Sequence, residues 1–202
     1  LECTQPKKFR RILLGKGLDF PKVGLVGVMN ADLFLHQPDF RASERAFQLL
    51  SHIAGRAGRK EQGRVLIQTY NPFQETLQRI QQGEYTAMMT AQLTERSDFH
   101  YPPYYRLVRI IFRHRELERI NQAGQWFADG LRTGLAGYPV EVLGAEFPPI
   151  SRIRNEYIKH ILLKIAPKVP LPMVKDYILR LEQSFYSTAL FRPVILSYNV
   201  DP

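Results

Sequence analysis

The stretch Tyr105-Arg-Leu-Val-Arg-Ile-Ile-Phe-Arg-His114 carries the clearest strand signal in the sequence. Val108, Ile110 and Phe112 alternate with positions 107, 109, 111 and 113, two of which are arginines. A period of two places these sets on opposite faces of a strand, one apolar and one wetter. We therefore predict a half-buried strand over residues 105–114 that anchors a sheet.

The sequence downstream continues this sheet. Amphipathic helices are predicted over residues 116–135 and 171–187, where apolar side chains recur every three or four positions. Further strands are predicted at residues 140–145, 157–165 and 193–200, the first two joined by a polar loop with prolines. The order β-α-β-β-α-β predicts an α+β, ferredoxin-like domain over residues 105–202, an antiparallel sheet with two helices on one face.

A different pattern precedes residue 73. Residues 23–29 and 65–70 are mostly apolar without alternation, as in strands buried on both faces of a parallel sheet. A helical apolar stripe lies between them at residues 42–54. Strand, helix, strand predicts an α/β unit, and residues 15–72 hold too few strands for a complete nucleotide-binding fold.

A helical connector is predicted over residues 73–104. Helical segments at 74–82 and 84–98 are separated by Gly83, which disfavours a helix interior. At the other end of the sequence, residues 1–14 form an atypical N-terminal segment, which is either native or foreign to the natural protein.

The net charge is +9 and the isoelectric point is about 9.8. This excess indicates a polyanionic partner such as nucleic acid, or an anionic membrane surface. Basic side chains that only solvate the surface are an equal alternative.

Composition narrows the class of protein further. Hydrophobic residues make up 45% and charged residues 23%, as in folded soluble domains. No run approaches the roughly 18 apolar residues of a membrane helix, and no signal peptide is recognisable, so we expect a cytoplasmic protein without a membrane partner. The single Cys3 and five scattered histidines predict no metal site in this chain.

Two short sequences carry the chemistry. Gly15-Lys-Gly-Leu-Asp-Phe20 is a glycine-bearing loop whose backbone can approach phosphate. Ala54-Gly-Arg-Ala-Gly-Arg59 places two arginines three residues apart on one face of a helix end. Planar guanidinium groups suit the charge on a transferring γ-phosphate, although a solvated basic helix end is the alternative for this motif alone.

Together with DFRASER at residues 39–45 and QTYNP at residues 68–72, these sequences closely resemble helicase motifs V and VI of the primosomal protein N′ (PriA) family of bacterial replication-restart helicases. The resemblance continues through HYPPYYRL at residues 100–107 and NVDP at residues 199–202. It departs from the family at Gly15, usually Thr, and at His52, usually Gln.

The resemblance implies an ATP-dependent 3′-to-5′ DNA helicase that recognises stalled forks and restarts replication by primosome assembly. It implies a partial RecA-like helicase lobe 2 at residues 15–72, followed by a ribosomal S10-like domain at residues 105–202. ATP and Mg would be bound by the full-length protein, and the family's Zn belongs to a cysteine-rich subdomain that this sequence lacks.

Site residues and partners follow by the same resemblance. Motif V contributes nucleotide-binding Lys16, Gly17 and Asp19, and motif VI contributes His52, Arg56 and Arg59, with Arg59 as the γ-phosphate finger. Lys168, in the turn at residues 166–170, is implied to contact the acidic tail of single-stranded DNA-binding protein. Other primosome proteins are further implied partners.

Three more side chains are candidates to contact branched and single-stranded DNA. Arg152 and Arg154 are predicted on the loop between two hairpin strands, where guanidinium groups can meet phosphate. Tyr104 can stack on a base. The alternatives are solvation for the arginines and packing between connector and sheet for the tyrosine.

The phosphate-cradling sequence G-x-x-x-x-G-K-[ST] does not occur. We therefore expect this chain by itself neither to hydrolyse ATP nor to unwind DNA. The alternative function is a stand-alone nucleic-acid or ribosome-associated binding module. Motifs V and VI favour the motor, because a binding module has no use for paired arginine fingers.

Overall fold

The computed structural model describes residues 25–56 and 64–202, which separate into two compact units on either side of the bond between Met89 and Thr90. Both units combine helices with a sheet, so the predicted mixture of α and β structure is confirmed. The predicted connector at residues 73–104 is divided between the two units.

The first unit contains a parallel pair of strands. Its elements are β1 (Leu25–Val28), α1 (Asp32–Leu35), α2 (Ala42–Arg56), β2 (Arg64–Ile67) and α3 (Glu75–Gln82), and α4 (Tyr85–Asp98) follows across the unit boundary. Strands β1 and β2 pair in parallel, as predicted. Helix α1 was not predicted, because four residues are too few to show a helical period.

The core of this unit lies between α2, the two strands and α3. Its buried side chains include Val28, Ala46, Leu50, Ile53 and Leu77. The apolar stripe predicted for the helix at residues 42–54 therefore faces this core.

Gly83 ends α3, which confirms the predicted break. Its φ of 73° lies in the left-handed region, and its N–H donates to the carbonyls of Arg79 and Ile80. This is the usual glycine C-cap, in which a residue without Cβ satisfies carbonyls at the helix end.

The second unit contains one element more than predicted. Its elements are β3 (Arg106–His114), α5 (Leu117–Leu135), β4 (Val140–Glu146), β5 (Arg152–Ile153), β6 (Glu156–Ile165), α6 (Leu171–Ser187) and β7 (Ile195–Val200). The prediction of a loop that carries Arg152 was wrong, because Arg152 and Ile153 pair with the start of β6 as strand β5. A two-residue strand is too short to show alternation.

The sheet of the second unit is antiparallel, with the order β4-β6-β3-β7 and with β5 also paired to β6. Strand β3 lies inside the sheet, where Ile110 is opposite both Ile161 of β6 and Tyr198 of β7. The strand with the clearest sequence signal is therefore paired on both edges.

Helices α5 and α6 pack on one face of this sheet. Phe112 of β3, Phe127 of α5 and Phe185 of α6 are fully buried. Their ring centroids lie 5.5 to 6.3 Å apart in edge-to-face geometry, which is favourable for aromatic rings. Ile110 and Phe112 point to this core, as the alternation predicted.

The two helices approach each other closely at two glycines of α5. A Cβ on Gly130 would lie 2.7 Å from Leu181, and a Cβ on Gly134 would lie 1.9 Å from the Tyr177 ring. The Tyr177 hydroxyl donates to the Gly130 carbonyl at 2.7 Å. The absence of side chains at these positions lets α6 bond directly to the backbone of α5.

We expect Gly134→Ala to lower the free energy of unfolding by about 1 to 3 kcal/mol, as overpacking does. Alanine favours a helix by about 1 kcal/mol over glycine, so a loss would show that the clash outweighs propensity. Urea unfolding followed by fluorescence of Trp126, the only tryptophan, measures the change.

The control is the same substitution in a Tyr177→Ala background, where the space is free. There Gly134→Ala should be neutral or stabilising. An equal loss in both backgrounds would contradict the proposed close approach.

Candidate nucleic-acid interface

A tight hairpin joins β5 to β6. Arg152 is opposite Tyr157 and Ile153 is opposite Glu156, which leaves Arg154 and Asn155 as a two-residue loop. Their φ angles are 49° and 65°. Two consecutive positive φ values are typical of a type I′ turn, whose twist matches that of the paired strands.

Arg152 is held in place although it is exposed. Its guanidinium carbon lies 4.8 Å from the centroid of the Tyr157 ring, and its Nη2 donates to the side-chain oxygen of Asn155. A cation over an aromatic face at an exposed site is worth about 0.5 to 1 kcal/mol. The charge of Arg152 is therefore preorganised.

Arg154 occupies the first loop position and is exposed. A type I′ turn favours Asn, Asp or Gly there, since other residues in the left-handed region are strained. The turn thus places a cationic side chain at a position where its backbone conformation is unfavourable. Local strain of this kind is a common feature of functional sites.

The segment before the hairpin adds apolar surface. Phe147, Ile150 and Ile153 are exposed. The ammonium of Lys159 lies 4.7 Å from the Phe147 ring centroid, and burial lowers the pKa of Lys159. Cations and apolar groups therefore lie side by side at this end of the sheet.

Tyr104 differs from its two neighbouring tyrosines. Tyr101 lies under the ammonium of Lys164 at 4.1 Å, and Tyr105 stacks on His100 at 4.2 Å. Packing therefore accounts for these two rings, whereas Tyr104 is 39% exposed in the turn before β3. Tyr104 is therefore the most accessible of the three tyrosines to a ligand such as a base.

The structure does not bring Tyr104 together with the two hairpin arginines. Arg106, at the start of β3, is opposite Ile165, whereas His114, at its end, is opposite Tyr157. Eight residue steps at roughly 3.4 Å each separate these ends by about 27 Å. Tyr104 and the hairpin thus lie at opposite ends of β3 and β6.

Lys168 lies in the turn between β6 and α6, as predicted, and it is exposed. The Val169 N–H donates to the Ala166 carbonyl at 3.0 Å, and Val169 is buried. The buried valine anchors the turn and leaves the lysine in solvent.

The residues predicted from motifs V and VI are placed only in part. His52 is exposed on α2, and Arg56 is the last residue of that helix. The side chain of Arg56 and the whole of Lys16, Gly17, Asp19 and Arg59 lie outside the described residues. Their roles stay predictions.

Sequence reasoning missed a carboxylate clamp in the first unit. Asp32 is buried, and its two oxygens accept hydrogen bonds from the Thr69 hydroxyl at 2.9 Å and the Tyr70 N–H at 3.0 Å. Burial alone would raise the pKa of Asp32, but these hydrogen bonds hold it below its usual value. The sequence did contain a signal for it, because the polar residues Asp32 and Thr69 each follow an apolar run. Two parallel strands end at the same edge of a sheet, so residues that follow them can meet there.

Within residues 25–56 and 64–202, no group of three or more His, Cys, Asp or Glu side chains is arranged to hold a metal ion. In the same part of the chain, no helix is both long and apolar enough to cross a membrane.

Comparison with known proteins gives one family match and several relatives. The family model described as primosomal protein N C-terminal domain matches residues 97–202. A replication restart protein PriA from Bacillus subtilis (strain 168) is 37% identical over 168 residues, which is 83% of this chain and 21% of the relative.

Two further proteins of that name are similar. The one from Treponema pallidum (strain Nichols) is 36% identical over 160 residues, 79% of this chain and 24% of the relative. The one from Synechocystis sp. is 35% identical over 196 residues, 94% of this chain and 22% of the relative. The matches thus span between 21% and 24% of the length of these relatives.

We expect Arg154→Gly to leave the free energy of unfolding unchanged or to raise it by up to about 1 kcal/mol, because glycine adopts a positive φ without strain. Arg154→Val should instead destabilise the protein, since a β-branched residue is strongly disfavoured there. Urea unfolding compares the two variants. A loss of stability in Arg154→Gly would show that the arginine side chain itself supports the fold.

Proposed function

The chain belongs to the primosomal protein N C-terminal domain family, and from this premise we propose that it is the nucleic-acid-binding C-terminal part of an ATP-dependent 3′-to-5′ DNA helicase that restarts replication at stalled forks. The names of its relatives support a role in replication restart. The observation that carries the nucleic-acid role is the hairpin, which fixes Arg152 and exposes Arg154.

The fold supports this assignment. The strand order β4-β6-β3-β7 fits a ferredoxin-like, ribosomal S10-like domain. The parallel β1–β2 pair with α2 between them in sequence fits a partial RecA-like lobe. A free-standing ribosome-associated module has less support, because the similarity to the Synechocystis relative extends over 94% of the chain.

In the full-length motor, Lys16, Gly17 and Asp19 would couple nucleotide and DNA contacts, and Arg56 and Arg59 would face the nucleotide phosphates. The end of α2 fits such a ligand: Ala54 and Gly55 are exposed, and a Cβ on Gly55 would meet nothing within 4 Å. ATP with Mg supplies the phosphoryl group for hydrolysis. The arginines of this chain would stabilise its charge, with His52 as a hydrogen-bond donor beside them.

Lys168 is our candidate contact for the acidic tail of single-stranded DNA-binding protein. Lys168 and Leu171, three residues later, are both exposed, so an ammonium and an apolar group are available together. An exposed ion pair contributes about 0 to 1 kcal/mol, so apolar contacts would supply more of the affinity. Other primosome proteins are further proposed partners, and a role in replication supports a cytoplasmic location as part of this proposal.

Forked DNA tests the hairpin directly. We expect Arg154→Gly to weaken binding of this chain to forks of any sequence and to lower the salt dependence of log K by about 0.9 for each lost phosphate contact. Fluorescence anisotropy over a salt series measures both. Arg180→Gln, at an exposed position of α6 outside the hairpin, removes the same charge and should have little effect. Equal binding by both variants would remove Arg154 from the interface.

Arg59 tests the motor. In the full-length protein, Arg59→Ala should lower DNA-stimulated ATP turnover by about 10³ to 10⁵, as loss of an arginine finger does, with nucleotide affinity much closer to normal. Arg59→Lys should recover little, since lysine lacks the planar fork. Arg64→Ala, at an exposed position of β2, is the matched control. Near-normal turnover in Arg59→Ala would make Arg59 a solvated helix-end residue.

A further inference from the structure

The sheet of the second unit has a second face, opposite the aromatic core. Because side chains alternate along a strand, residues next to the core positions Ile110, Phe112 and Ile161 point to this side. We call it the open face. Its members include Leu143, Ile153, Arg109, Ile111, Arg113, Ile158, His160, Leu162, Ile195 and Ser197.

Strand register arranges these side chains in rows. Leu143, Leu162, Arg109 and Asn199 form one row, and Glu146, His160, Ile111 and Ser197 form the next. Ile158, Arg113 and Ile195 form a third row. Cationic and apolar side chains therefore alternate along β3, with the α-carbons of Arg109 and Arg113 roughly 14 Å apart.

Glu146 lies beside His160 on this face, whereas Arg109 and Arg113 form no ion pair within residues 25–56 and 64–202. The Nε of Arg109 is buried and has no hydrogen-bond acceptor there. An unpaired guanidinium of this kind is suited to an anionic ligand.

Apolar groups at the margins of the face are exposed to solvent. Leu143 is 44% exposed, Ile153 49% and Ile195 53%. A ligand for this face must therefore offer both negative charge and apolar or planar surface.

One end of the open face is closed. Lys164 is buried there, where its ammonium donates to the Phe99 carbonyl at 2.6 Å and lies over the Tyr101 ring. The other end is continuous with the hairpin, because Arg113 is opposite Ile158 and β6 leads from Ile158 back to Glu156 and the loop. The unpaired arginines thus lie on a path that ends at Arg154.

We infer that the open face binds single-stranded DNA along a track from Arg109 through Arg113 to the hairpin loop. Single-stranded DNA presents phosphates to the arginines and base planes to aliphatic side chains, guanidinium groups and the His160 ring. An acidic peptide has no base planes, and the comparison with polyglutamate below separates the two ligands. The inference rests on the proposed nucleic-acid role and adds the surface along which single-stranded DNA would lie.

The test uses the present chain and a fluorescein-labelled oligothymidylate. We expect Arg109→Gln with Arg113→Gln to lower affinity on the order of tenfold at low salt and to reduce the salt slope by about 1.4, or 0.7 for each phosphate contact to a single strand. Lys175→Gln with Arg180→Gln on α6 removes the same charge from exposed positions and should change affinity little. Thermal unfolding confirms that each variant folds.

Two additional ligands test whether the bases of the DNA contribute to binding. An abasic oligonucleotide of equal length should bind more weakly than oligothymidylate, because stacking is lost. Equal binding of the abasic strand or of polyglutamate, with the same dependence on Arg109 and Arg113, would overturn the inference in favour of a general polyanion surface.

The pH dependence provides a readout specific to this face. Burial lowers the pKa of His160, the charge of Arg109 on β3 lowers it further, and Glu146 on β4 partly opposes this. Arg113 lies on β3 beside Ile111, the residue opposite His160. A bound phosphate would offset the arginine charges and raise the pKa of His160 in the complex above its value in the free protein, so affinity should rise as the pH falls through these two pKa values. His160→Gln should abolish this rise.

The outcomes separate the two proposals. If the unmodified chain binds no nucleic acid, the proposed function of this chain fails. Suppose instead that the unmodified chain binds, that the variant with Arg109→Gln and Arg113→Gln binds equally well, and that Arg154→Gly binds more weakly. The proposed role of the hairpin is then supported, and the proposed track along the open face is wrong.

Discussion

The packing of Phe185 against Phe112 and Phe127 is the interaction on which the second unit depends. It joins α6, the central strand β3 and α5 through three fully buried rings. A buried phenylalanine is worth several kcal/mol to a core, so these contacts fix both helices on one side of the sheet. The bare backbone at Gly130 and Gly134 lets the helices share that side, because Tyr177 can reach the carbonyl of Gly130.

Because both helices pack on one face of the sheet, the side chains of the opposite face do not contribute to the aromatic core. The same strand that sends Phe112 into the core sends Arg109 and Arg113 to the opposite side, since alternation is a property of the extended backbone. The hairpin extends β6 beyond the end of β3 and carries Arg154 there. The core and the proposed DNA surface are thus two consequences of one strand geometry.

In the first unit, a buried carboxylate connects distant segments of the chain, whereas aromatic packing does so in the second unit. Asp32 accepts hydrogen bonds from Thr69 and Tyr70, so it ties the segment after β1 to the segment after β2. A carboxylate that receives two hydrogen bonds can stay ionised although it is buried. This clamp fixes the carboxyl edge of a parallel pair, the edge where α/β proteins usually place their ligands.

The sequence by itself determined most helices and strands, because their periodicities are local: β3, α5 and α6 each show their period within one stretch. It also offered Arg152 and Arg154 as candidate contacts from residue type and a predicted loop, and Lys168 from the resemblance to the family. The tertiary structure decided what depends on residues distant in the chain. It buried Lys164 beneath Phe99, 65 positions away, and clamped Thr69 to Asp32, 37 positions away. It also placed Arg152 and Ile153 in strand β5 instead of the predicted loop, because pairing with β6 outweighs the strain of two positive φ angles in the turn. The local sequence does not show which of these two effects is larger.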